Sequence, residues 1–171
     1  MLAGTVLLAG LVAGGVVSRV APTDKLQVSA TALSGTGLSL ASAGGSTNSN
    51  RSPVFLDVEA GFTHPSIPWL EFTPALLLEA EGRVGFGIEP KLRAFLPVRK
   101  LSVFGVVGLP VFVAPYSLLG ARAGVGLAVH VHRHFAVTAE ASAAVFFWGT
   151  DLMSDSILAK LDLAAGVRIP F

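Results

Sequence analysis

Cysteine is absent from this chain of 171 residues. That excludes disulfides, thiol catalysis, cysteine-based zinc sites and a lipid-modified N-terminal cysteine. Charge is also scarce: Asp, Glu, Lys and Arg make up 13% of residues, against roughly 25% in ordinary soluble domains. The net charge is +1, with no basic patch, helix-turn-helix pattern or RNA-binding signature, so nucleic acid is not an expected partner. Beyond the first 20 residues no apolar run is long and pure enough for a transmembrane helix. Yet the chain is 52% hydrophobic. A protein that crosses a bilayer as strands has this composition, because its hydropathy signal is weak segment by segment.

Residues 2–17 read LAGTVLLAGLVAGGVV. Thr5 to Val12 has the length and apolarity of a signal-peptide core, and Ala13 and Gly15 offer a small-residue cleavage pattern. Residues 1–22 are therefore expected to be an export segment, although only Met1 and Leu2 precede the apolar run where a positive region is usual. An inner-membrane anchor and a further strand over 11–20 are the alternatives.

From Lys25 onward the hydrophobic period is two, which places alternate side chains on opposite faces of a strand. Eight segments follow: 25–33, 53–62, 69–80, 84–96, 101–113, 118–131, 135–147 and 157–171. The first is the least periodic. Residues 34–52, rich in Gly, Ser and Asn, read as a long flexible loop, and 149–156 as a medium one. Short polar turns join most other neighbours, which predicts an antiparallel up-and-down meander. One face of every segment is apolar: among its members only Gly105, Pro74 and Pro90 are not Ala, Val, Ile, Leu or Phe.

Alternation alone does not say which face is inside. A soluble lipocalin-like barrel would put the apolar face in, and a membrane barrel would put it out. The polar face is too sparsely charged for a water-facing surface. It is rich in Gly (Gly85, Gly87, Gly108, Gly120, Gly124, Gly126) and also holds Phe95, Phe104 and Phe112. Small and large residues together suit the crowded lumen of an eight-stranded barrel. The same face carries both charge signs in mid-strand. The acids are Asp57, Glu59, Glu71, Glu79, Glu89, Glu140 and Asp162; the bases are Lys91, Arg93, Arg122, Lys160 and Arg168. Buried charges must pair, and a closed lumen brings strands together to pair them. The expectation is a closed, antiparallel, eight-stranded up-and-down transmembrane β-barrel over 25–171, with a structural charge network in its lumen. Pro74 and Pro90 fall opposite each other about the Gly82 hairpin, where a bulge is expected. Pro110 also lies inside a strand.

The alternation and the terminal segment Leu161-Asp-Leu-Ala-Ala-Gly-Val-Arg-Ile-Pro-Phe171 resemble the small eight-stranded outer-membrane barrels, such as the OmpA transmembrane domain and OmpX. The last segment is similar to the signal that barrel-assembly machinery reads, with Phe171 in the signal position; Pro170 departs from the commonest pattern. The resemblance implies an outer-membrane location, with lipid and, during biogenesis, the assembly machinery as partners. With both termini periplasmic, the turns at Thr63, Pro97 and His132 are periplasmic too. Outward Phe62, Phe135 and Phe171 then mark one interface, and Phe86 and Phe147 the other.

Chemistry is thinly signalled. His130, His132 and His134 share one parity and could hold a metal, but a polar turn explains them better. Some eight-stranded barrels modify lipids with an exposed His near the outer leaflet. Here His64, His130, His132 and His134 all fall on the periplasmic side, so no enzyme and no cofactor are expected. The lumen charges could line a narrow pore, but a side-chain-filled lumen is the stronger expectation. Asp151 and Asp155 could bind a cation weakly, and loop 34–52 could meet an unknown external partner.

Overall fold

The computed structural model describes residues 25–43, 45–81, 84–98, 101–150, 152 and 156–171. The proposed export segment, Asp151 and Asp155 lie outside them. The elements are β1 (Gln27–Ala43), β2 (Ser46–Thr63), β3 (Leu70–Glu79), β4 (Gly85–Val98), β5 (Leu101–Gly108), β6 (Val111–Ala114), β7 (Leu118–His132), β8 (Phe135–Gly149) and β9 (Ile157–Pro170). Among the described residues there is no helix.

The strands pair antiparallel in the order β3-β2-β1-β9-β8-β7-β5-β4, and β3 pairs with β4 to close the ring. β5 and β6 are two halves of one barrel strand, since both lie between β4 and β7. The ring therefore has eight strands. Following paired residues from Glu79 through Phe55, Gly35, Ala164, Glu140, Gly126, Phe104 and Phe95 leads back to Trp69, beside the start of β3. That is a stagger of ten residues around the barrel (79 to 69). With usual strand spacings, it tilts the strands by roughly 40° and sets a backbone radius of about 8 Å.

Burial follows the alternation. In β3, Glu71, Thr73, Ala75, Leu77 and Glu79 are buried, while Phe72, Leu76 and Leu78 are exposed. The same split runs through β4, where Glu89, Lys91 and Arg93 point in and Ile88 and Leu92 point out. The apolar face is thus outside, which removes the lipocalin-like arrangement. Exposed Phe62, Trp69 and Phe171 ring the end that carries the termini of the described chain, where β1 begins and β9 ends, and Phe86, Phe147 and Trp148 ring the other.

Three sequence expectations need correction. Residues 34–52 are not a flexible loop. β1 and β2 continue as a hairpin, paired from Gly37↔Ser52 to Ala43↔Ser46, and β1 stays paired with β9 as far as Ser42↔Ile157. The Gly and Asn residues of this stretch are of types depleted in strands, but a partner on each side of β1 outweighs that preference. Gly45 has a φ of 84° at the tip, a left-handed conformation that glycine adopts without strain. A bulge lies in β2 between the partners of Gly35 and Gly37.

Second, Pro74 and Pro90 sit opposite each other with no bulge between β3 and β4. The Pro90 carbonyl accepts from Leu109 N at 3.1 Å, so its polar edge faces β5, away from Pro74. The two prolines therefore form a non-hydrogen-bonded pair. Their missing N–H groups fall on the outer flanks, where the β2–β3 ladder skips Ala60 and Gly61 without changing register. Third, segment 101–113 is broken at Leu109-Pro110 into β5 and β6. There Pro90 and Pro110 both lack donors.

The free upper part of β2 is clipped to the β3 end. Glu81 accepts hydrogen bonds from the Arg51 guanidinium and from Val54 N at 3.2 Å. The hydrogen bond from Arg51, reinforced by that from Val54, holds the exposed Glu81 carboxyl below its ordinary pKa.

Two outcomes are expected. Leu76→Arg, at an outward mid-strand position, should destabilise the barrel by about 2–4 kcal/mol in urea titrations in lipid vesicles, and Val131→Arg near the rim by at most about 1 kcal/mol. Because the Glu81 pKa is lowered on folding, the clip contributes fully above the ordinary Glu range and is lost as pH falls through the lowered value. Amide exchange at Val54 should accelerate over that acidic window in the native chain. In Glu81→Ala, which removes the acceptor, it should already be fast at neutral pH; equal protection in both chains at neutral pH would contradict the clip.

Candidate functional site

The twelve charged residues expected in the lumen all point into it, and all but Arg168 are buried. Seven are acids and five are bases. They fall into three groups along the barrel.

At the end carrying the termini, Arg168 of β9 grips Glu71 of β3. Its Nη1 donates to Glu71 Oε1 at 2.9 Å and its Nη2 to Oε2. Ser29 and Thr73 hydroxyls also donate to Glu71, at 3.2 and 3.3 Å. The Arg168 guanidinium lies 4.8 Å from the Phe95 ring centroid.

The central group is the largest. Lys91 Nζ donates to Asp57 Oδ2 and to Glu59 Oε1, the latter at 2.7 Å, and lies 3.6 Å from Glu89. Arg93 forks onto both Glu59 oxygens and reaches Glu140 Oε2 at 2.9 Å. Arg122 Nη1 stands 2.9 Å from Glu89 Oε2 and 4.0 Å from Asp57. Lys91 and Arg93 are each 1% exposed, so this group blocks the barrel axis. Phe104 packs on Phe95 and under Arg93. Gly126 makes room for that ring, which a Cβ there would overlap.

At the hairpin end, Lys160 and the Tyr116 hydroxyl both donate to Glu79. Lys160 Nζ also lies 5.4 and 5.5 Å from the Phe112 and Phe146 ring centroids. Asp162 faces Arg122 and Lys160 around a cavity of about 10 Å³, room for roughly one water.

Strand alternation identified the charged members. It missed Tyr116, which lies between the expected segments 101–113 and 118–131, and Ser29 and Thr73, whose hydroxyls carry no charge signal. Phe146 had a signal: it shares the parity of Glu140.

His64, His130, His132 and His134 are all exposed at the end carrying the termini. His132 and His134 rings lie 5.9 Å apart. Among the described residues no cluster of three or more His, Cys, Asp or Glu side chains is placed to hold a metal.

No protein-family model matches the chain, and no curated protein matches it. Solved structures do. Neisserial surface protein A (NspA) superposes with a TM-score of 0.59 at 13% identity, over 85% of this chain and 97% of that one. A de novo designed transmembrane β-barrel gives a TM-score of 0.49 at 11% identity, over 82% and 95%. Ail, the attachment invasion locus protein of Yersinia pestis, gives 0.44 at 12% identity, over 83% and 99%. The fold is that of the small eight-stranded transmembrane barrels, as its closed ring and outward apolar face require.

Removing one member of a shared buried pair strands the others. Lys91→Met leaves Asp57, Glu59 and Glu89 without their common cation and should cost about 3–5 kcal/mol in urea unfolding. Adding Asp57→Asn to it should restore part of that loss; a double variant no more stable than the single one would argue against the shared network.

Proposed function

We propose that the protein is an integral outer-membrane barrel with a structural or surface-interaction role, no catalytic activity and a lumen filled by its own side chains. The carrying observation is the pairing of two faces: a predominantly apolar exterior around a core of buried charges that pair with one another. An apolar exterior suits lipid. A closed barrel is one of only two ways for a backbone to satisfy its hydrogen bonds there. The lumen network serves to fill and fix the barrel, because an open pore would leave Lys91 and Arg93 hydrated rather than buried. The β1–β2 hairpin favours a surface role: residues 46–52 of β2 pair with β1 but not with β3, so they stand above the neighbouring strand. NspA, of the same fold, is named as a surface protein.

Phe171 fits the role of assembly signal. It is 78% exposed beside the end of β9, and its N–H donates to Val28 O at 2.9 Å, which fixes the last residue against β1.

Detergent-extracted protein should migrate differently on SDS gels before and after boiling, and should fractionate with outer membranes. Identical mobility in both samples would overturn the barrel in its membrane. Planar bilayers should stay electrically silent; stepwise conductance would replace the filled lumen with a pore.

A further inference from the structure

Among the described residues, exposed basic side chains gather at one end of the barrel. Lys25 precedes β1, His64 lies in the β2–β3 turn, and His130, His132, Arg133 and His134 close β7 and lead into β8. All six are exposed, and all stand at the end that carries the termini. Ion pairs account for Arg51 at the other end and for every base in the lumen. Among the described residues they include neither Lys25 nor Arg133. Glu71, the described acid nearest this rim, is buried and already held by Arg168.

Apolar side chains interleave with these groups. Leu26 follows Lys25, Val131 separates His130 from His132, Phe135 follows His134, and Trp69 ends the turn that His64 begins. Leu26, Val131 and Trp69 are exposed. A fringe of basic side chains bordering an exposed apolar and aromatic band matches the level where acyl chains give way to phosphates. A free anion in water would need no such band.

We propose that this rim binds the phosphate groups of anionic phospholipids in the leaflet that meets the terminus-bearing end. The proposal rests on the membrane-barrel reading above. Lys25 and Arg133 supply charge-assisted hydrogen bonds to phosphate oxygens, and imidazole N–H groups donate to the same oxygens. Among the described residues the exposed base at the opposite end is Arg51, and Glu81 pairs with it.

The test folds the full chain into phosphatidylcholine vesicles carrying a trace of spin-labelled phosphatidylglycerol or phosphatidylcholine. The motionally restricted fraction is read for each label. Phosphatidylglycerol should be held about fivefold more strongly. Lys25→Gln/Arg133→Gln should bring the two labels toward parity, and Arg51→Gln should keep the preference. Inorganic phosphate at constant ionic strength should not compete; if it does, the rim is a site for free phosphate and the proposal fails. Gel mobility before and after boiling is measured on the same vesicles. A heat-modifiable, inserted barrel with no lipid preference overturns the rim alone, whereas a chain that stays in the aqueous phase overturns the membrane reading and the rim together.

Discussion

Backbone hydrogen bonds that must close without water govern this molecule. Each N–H or C=O left unpaired in hydrocarbon costs several kcal/mol, so the sheet has to return to its first strand. It does so with a stagger of ten residues, and that stagger sets a lumen only about 8 Å in backbone radius. The prolines obey the same constraint. Pro74 and Pro90 face each other where neither needs to donate to the other. Their missing donors weaken the adjoining ladders, which keep their register through the gaps. The stretch around Pro90 and Pro110 is where one barrel strand divides into β5 and β6.

A lumen that narrow forces its charges together. In a low-dielectric interior an isolated charge is costly, and sharing is the remedy. Lys91 serves Asp57, Glu59 and Glu89; Arg93 serves Glu59 and Glu140; Arg122 joins Glu89 to the same group. Seven acids still outnumber five bases, and Asp57 Oδ1 and Asp162 Oδ1 have no hydrogen-bond partner. Aromatic rings close the remaining space around the cations, at Phe95 and Phe104 on one side of the central group and Phe112 and Phe146 on the other.

Much of the site was legible from parity. Period-two alternation assigned Glu59, Lys91 and Arg93 to one face because adjacent side chains on a strand must point oppositely. It could not choose among partners: Glu71 and Arg168 are 97 residues apart, and their contact depends on the stagger of the closed ring. Tyr116 escaped for a related reason, since its role comes from a turn folding back over Glu79.

The hairpin of β1 and β2 marks the same boundary. Its Gly and Asn residues have weak strand preference, and only the neighbouring β9, supplied from the far end of the chain, makes the extended form the better one for β1. By itself, then, the sequence determined the strand period and the split into an apolar and a charged face, both local properties of alternating side chains, and the Gly-rich, doubly charged composition of the second face put it inside. The tertiary structure alone decided the stagger, the pairing of the lumen charges, the fate of the prolines and the length of the first hairpin. Each of those depends on which distant strand lies alongside, and a closed ring fixes that only when its last strand meets its first.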